Sequence, residues 1–189
     1  MATQAEMNLW VPEKLREIER EWGVRVLYAA ESGSRAWGSA SPDSDFDVRF
    51  IYIRPRTDYL RLDPPRDVIE KPIDDTWDVS GWDLQKSLKL LSKSNPSLFE
   101  WLGSGIRYAD TGFSARLAPL LRDYFDPKSM MYHYYNMAGN NIRTFLRGET
   151  VRPKKYFYAL RPVLACLYIM ERDAPPPMLY AELAASQLP

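Results

Sequence analysis

Between about residues 24 and 82 the apolar positions of this chain fall in short runs suited to strands, and before and beyond that stretch they recur every three or four residues. At the start, Leu15, Ile18 and Trp22 stand at helical spacing among charges, which predicts an amphipathic helix over 12–22, begun by Pro12 and ended by Gly23. The run "VRVLYAA" (24–30) is rich in β-formers and reads as a central strand. "DFDVRFIYI" (45–53) alternates and predicts a second strand. "DVIEK" (67–71) and "DDTWDVSGW" (74–82) predict two more, with which the sheet is expected to end. From Asp83 the pattern is helical: Leu84, Leu88, Leu90 and Leu91 share a stripe, with Asp83 placed to cap it. "NPSLFEWL" predicts a short helix with Pro96 first, and three longer helices are expected over 113–125, 127–148 and 153–173. The triple proline at 175–177 reads as a stiff connector, and no internal repeat is present. Strands first and helices afterwards predict an α+β fold: a mixed β-sheet flanked by helices over 1–110, then a helical-bundle domain over 111–189.

Charge and cysteine content narrow the classes. Lysine plus arginine and aspartate plus glutamate total 25 each, so no net charge draws the molecule to nucleic acid or an anionic membrane, and any such contact is local. The single cysteine, Cys166, sits among apolar neighbours and reads as a small core residue without an internal disulfide partner. With neither a leader nor a long uncharged apolar run at the start, a reducing cytoplasm is the expected location, with no membrane partner. Twelve tyrosines and six tryptophans suit a core or a stacking surface, and composition does not choose between them.

The segment "ESGSRAWGSASPDSDFDVRF" (31–50) carries the chemistry. Asp45 and Asp47 are two apart on a strand, so they share a face with Cα atoms roughly 7 Å from each other. Two such carboxylates repel unless a cation sits between them, and Mg²⁺, which takes carboxylates together with water and phosphate oxygens, answers that need. Upstream, Gly33 permits close backbone approach, Ser34 offers a hydroxyl and an amide to phosphate, and Arg35 adds a forked cation. The alternative is that Asp43, Ser44 and Asp45 finish a loop while Asp47 faces water. Asp74 and Asp75 read as solvated loop charges.

Gly33, Ser34, Asp45 and Asp47 resemble the signature of the DNA polymerase β nucleotidyltransferase superfamily: a Gly-Ser after the first strand and an Asp-x-Asp on the next. More narrowly, "GSRAWGSASPDSDFDVRF", "DVSGWDLQKSLKLLSKSNPSLFEWL" and "KKYFYALRPVLA" resemble the bacterial and phage RNA-repair-pathway nucleotidyltransferases, the YcgL-like group, over about residues 28–170. The resemblance implies a polymerase-β-like sheet and transfer of a nucleoside monophosphate from a nucleoside triphosphate to an acceptor hydroxyl. Pyrophosphate leaves, and two Mg²⁺ ions, or Mn²⁺ in their place, assist. It implies an RNA end as acceptor, with modification of a partner protein or nucleotide sensing without turnover as the competing readings. It also implies a third carboxylate, for which Asp78 in "TWDVSG" is the first choice and Asp83 the reserve. Members of that group generally continue past the point where this chain stops, so part of an acceptor-binding surface is expected to be missing.

In the helical half, "RPKKYFYALRP" puts Lys154, Tyr158 and Arg161 on one helix face with Lys155 beside them. That face is expected to meet the triphosphate and base, and its plainer reading is a solvated basic stripe. His133, the single histidine, and Tyr132, Tyr134 and Tyr135 read first as packing residues of a small bundle, although the tyrosines would also suit base stacking.

Overall fold

Thr3 starts the first helix well before Pro12, in the computed structural model, which describes residues 2–41, 44–71, 77–148 and 150–188. Asp43, Asp74 and Asp75, expected to be loop charges, lie outside the described residues. Helix α1 runs Gln4–Trp22 because Thr3 and Glu6 form a reciprocal capping box, and Met7 and Val11 extend the buried stripe of Leu15 and Ile18. The expected start at Pro12 is therefore corrected: Pro12 lies inside the helix. Trp22, expected on the apolar face, is 39% exposed.

Five strands form one mixed sheet in the order β3-β4-β2-β1-β5: β1 Arg25–Glu31, β2 Phe46–Ile53, β3 Val68–Glu70, β4 Trp77–Asp83 and β5 Arg107–Asp110. The fifth strand corrects the expectation that the sheet ends at residue 82. "RYAD" is too short to show a period, and it is held by pairing antiparallel to the far edge of β1. β2 pairs antiparallel with β1 and parallel with β4. The chain between β2 and β4 carries a 3-10 turn at Arg56–Leu60 and then β3, which lies antiparallel on the outer edge of β4.

One face of the sheet, bearing Phe46, Val48, Phe50, Tyr52, Val79 and Ile69, is covered by α1. The other face bears Tyr28, Ala30 and Ile51 and is covered by α4 (Pro96–Gly103) and α5 (Phe113–Asp123), with α3 (Leu84–Leu91) joining β4 to α4. A bulge at Leu27 lets Val26 and Tyr28 serve opposite faces, which is why "VRVLYAA" shows no clean alternation. The chain then forms α6 (Pro127–Phe145), α7 (Pro153–Arg172) and α8 (Tyr180–Gln187), which share a third core around Met130, Tyr134, Leu164 and Ile169. Tyr134 is buried as the packing reading expects, whereas Tyr132 and Tyr135 are 56% and 69% exposed. The Cys166 Sγ lies 3.5 Å from the Met131 carbonyl, between α7 and α6.

Three joints seat the helices on the sheet. Arg161 on α7, the largest of the fully buried side chains, donates to Glu100 on α4 at 2.6 Å, and Tyr134 on α6 donates to the same carboxylate oxygen at 2.8 Å. Arg161 also lies over the Trp37 ring at 4.5 Å, next to the first loop of the sheet.

Gly81 in β4 is opposite Phe50, and a Cβ there would stand 2.2 Å from the phenyl ring. Gly81→Ala should cost about 1–3 kcal/mol of stability in urea unfolding. Combined with Phe50→Leu it should cost less than the sum of the two single changes, and strict additivity would contradict the contact.

Candidate active site

The parallel register of β2 and β4 sets Asp47 directly beside Asp78. Both face away from α1, at the strand ends that α4 and α5 leave open, with side chains 24% and 25% exposed. Their neighbour Arg49 closes the cluster: its Nη2 donates to Asp47 Oδ1 at 2.9 Å and to Asp78 Oδ2 at 2.7 Å, while its Nη1 donates to the Asp78 carbonyl at 2.9 Å. Asp45, exposed just before β2, stands close enough for its charge to act on Asp47. Burial pushes the Asp47 carboxyl above the usual carboxylate range, the Arg49 charge opposes that shift, and the charges of Asp45 and Asp78 add to it.

Against Asp47 lies the Gly-Ser turn, which forms α2 (Gly33–Ala36). Gly33 has φ +59°, and a Cβ there would be 2.1 Å from Asp47 Oδ2. Only glycine lets this backbone rest on the carboxylate. The Ser32 amide donates to the Asp47 carbonyl at 2.8 Å, fixing the turn to β2. Ser34 is buried, its hydroxyl 3.3 Å from that of Ser44, and Lys154 at the start of α7 donates to the same Ser44 oxygen at 2.9 Å. Lys154 thus belongs to the cluster across 110 residues of chain.

The remaining predicted residues sit around this centre. Arg35 donates to the carbonyls of Asp45 and Ser44 and covers the Phe46 ring at 3.7 Å, so it braces the loop before β2. Tyr158 meets Trp37 edge-on with ring centroids 5.9 Å apart. Lys155 turns to the Phe145 ring at 3.9 Å, and Arg161 is committed to Glu100. Asp83 pairs with Tyr52 at the other end of the strands, five positions from Asp78 and roughly 17 Å along the strand. There it caps α3 through the Gln85 amide at 2.8 Å and accepts from Tyr59. The structure therefore brings together Gly33, Ser34, Asp47, Asp78 and Lys154, with the exposed Asp45 at the margin, and leaves Asp83 apart.

Among the described residues, no three carboxylate, histidine or cysteine side chains stand close enough to enclose a metal ion. The donor set nevertheless fits a hard divalent cation: Asp47 and Asp78 offer carboxylate oxygens from adjoining strands, and a guanidinium stands where such an ion's charge would be needed.

Two residues of the site add to those expected from the sequence. Arg49 follows Asp47 by two and so shares its face, a signal that was present in "DFDVR". Glu31, at the end of β1, is wholly buried; it accepts the Asp47 amide at 2.8 Å on one oxygen and the Tyr108 hydroxyl on the other. Its partners come from β2 and β5, so nothing local announces it.

The family model described as RlaP, RNA repair pathway DNA polymerase beta family, matches residues 7–188. The uncharacterized protein YcgL of Bacillus subtilis (strain 168) is 49% identical over 178 residues, covering 94% of this chain and 68% of that protein. A crystal structure of a nucleotidyltransferase-like protein from Exiguobacterium sibiricum 255-15 aligns over 85% of this chain and 57% of its own, at 14% identity and a TM-score of 0.38. The chain thus spans less than two thirds of that structure's length. No described helix is long and apolar enough to cross a membrane.

Burial raises the Glu31 carboxyl from 4.5 to about 7. The folded chain then holds a proton that the unfolded chain releases, so this contribution to stability is complete below about pH 4.5 and is lost as pH rises through about 7. At 1.36 kcal/mol per pH unit the span is about 3 kcal/mol. Urea unfolding in EDTA should show wild-type stability declining from about pH 5 to about pH 8 more steeply than that of Glu31→Gln. Equal slopes would contradict the assignment.

Proposed function

The chain belongs to the RNA repair pathway DNA polymerase beta family, and on that premise we propose that it is a nucleotidyltransferase that moves a nucleoside monophosphate from a nucleoside triphosphate to an acceptor hydroxyl. The observation that carries this reading is the in-register pair Asp47 and Asp78 beside the Gly33–Ser34 turn. Two carboxylates side by side suit a divalent cation, and a backbone turn that only glycine can make, set against them, suits the phosphate such a cation would carry.

In this reading the triphosphate lies against the Gly33–Ser34 turn, with Lys154 approaching from α7. Asp47 and Asp78, with Asp45 beside them, would hold magnesium, or manganese in its place, and the ion would supply positive charge to the attacking and leaving oxygens. Asp78 lies on the β4 side, away from the turn, so the acceptor approaches there and Asp78 takes up the proton of its hydroxyl. The acceptor oxygen bonds to the α-phosphorus, the bond from that phosphorus to the bridging oxygen breaks, and pyrophosphate departs. Tyr158, Lys155 and Arg161 support this arrangement from behind: Tyr158 and Arg161 pack on Trp37, which follows α2, and Lys155 packs on Tyr158. The family description supports an RNA end as the acceptor.

Incubation with each α-labelled triphosphate, Mg²⁺ and cellular RNA should place label on RNA and release pyrophosphate. Asp47→Ala and Asp78→Ala should each lower the rate by roughly a hundredfold or more. Label on protein instead would replace the RNA acceptor with a protein one. Triphosphate binding without any pyrophosphate release would overturn the transferase reading in favour of a nucleotide sensor.

A further inference from the structure

The carboxylate pair is already served by a cation of the chain's own. Arg49 makes four hydrogen bonds at the site: two from Nη2 to Asp47 and Asp78, and two from Nη1 to the carbonyls of Asp78 and Val48, at 2.9 and 3.2 Å. Its side chain is 17% exposed, so the guanidinium is largely withdrawn from water and spans the gap between the two strands. Asp47 Oδ1 and Asp78 Oδ2, the oxygens it occupies, are among those a divalent ion would have to coordinate. A divalent ion bridging the two carboxylates would enter the gap that the guanidinium fills, where the two positive charges repel each other at close range.

Room to leave lies alongside. A cavity of about 460 Å³ is lined by Arg49 and Asp78 themselves and extends along β4 over Ser80 to Trp82, with Glu70 and Lys71 at its margin. Trp82 is stacked against Trp101 with ring centroids 3.8 Å apart, which gives the cavity a rigid aromatic wall. Glu70, whose carboxylate also accepts from Arg66, lines the same cavity. A planar guanidinium is suited to both, since it lies flat on indole faces and pairs with carboxylates.

We propose that Arg49 is an exchangeable counter-ion: it neutralises Asp47 and Asp78 in the ligand-free protein and withdraws toward Trp82 and Glu70 when a divalent cation enters with a triphosphate. The consequence is that metal alone binds weakly, and the triphosphate, itself a metal ligand, supplies what is needed to displace the guanidinium. Metal and nucleotide affinities are then coupled through one side chain. This inference rests on the nucleotidyltransferase reading, and it assigns Arg49 a part in regulating access to that site rather than in the chemistry.

Mn²⁺ binding, read by electron paramagnetic resonance without turnover, tests it with and without a non-hydrolysable triphosphate. Arg49→Met should bind Mn²⁺ in the absence of nucleotide about tenfold more tightly than wild type, and the nucleotide should add less to its affinity. A residue that merely props the carboxylates in place would give the opposite sign, so equal or weaker binding by Arg49→Met with an unchanged circular-dichroism melt overturns the proposal. Should Arg49→Met fail to fold, Arg49→Lys decides, because it keeps a charge without the fork: tighter Mn²⁺ binding than wild type supports exchange, and equal or weaker binding overturns it. Wild type that binds no Mn²⁺ even with the triphosphate overturns both this inference and the metal-dependent reading beneath it. Wild type that binds Mn²⁺ with the triphosphate, alongside variants no tighter than itself, overturns the exchange alone.

Discussion

Two like charges held side by side on adjoining parallel strands must be neutralised, and the rest of the site is arranged around that requirement. Strand pairing fixes Asp47 beside Asp78, so neither carboxylate can move away without breaking the β2–β4 ladder. Burial deepens the demand by raising the cost of the ionised form at Asp47. The guanidinium of Arg49 meets it from the same strand, and Glu31 holds the Asp47 amide from beneath. A sheet built for stability alone would place apolar residues at these positions, as it does at Val48 and Val79, one residue along each strand and on the opposite face.

Polar contacts fasten the helical half to this centre, alongside the apolar packing of Phe99 on α4 against the third core. Lys154 reaches Ser44, Arg161 and Tyr134 converge on one oxygen of Glu100, and the Tyr180 amide donates to the Trp37 carbonyl at 2.8 Å. Breaking one member of the buried Arg161–Glu100 pair would leave the other uncompensated, which makes the joint specific about how α7 sits. Because α2 and Trp37 lie between the joint and Asp47, the position of α7 and the shape of the Gly33–Ser34 turn are mechanically linked.

Much of this was legible in the sequence. The Gly-Ser turn carries its own geometry, and period-two alternation puts Asp47 and Arg49 on one face wherever the strand is placed. The helices after Asp83 also announce themselves by spacing and caps. What could not be read depends on register and closure. Which aspartate of β4 stands by Asp47 is decided by a parallel pairing that no local pattern specifies, and β5 exists only because the edge of β1 needs a partner. Arg161 looks from spacing like a member of a basic face, yet its surroundings make it the most buried cation among the described residues. Glu31 looks like a strand end and is enclosed only once β2 and β5 arrive. Pro12 misled in the other direction, because a proline that commonly begins helices here sits within one already capped at Thr3.

The chemistry of the site turns on where a divalent ion comes to rest. Anomalous diffraction from crystals grown with Mn²⁺ and a non-hydrolysable triphosphate should place manganese between the carboxylates of Asp47 and Asp78, with the Arg49 guanidinium withdrawn from both. Manganese found elsewhere, or triphosphate bound while Arg49 still bridges the two aspartates, would contradict it.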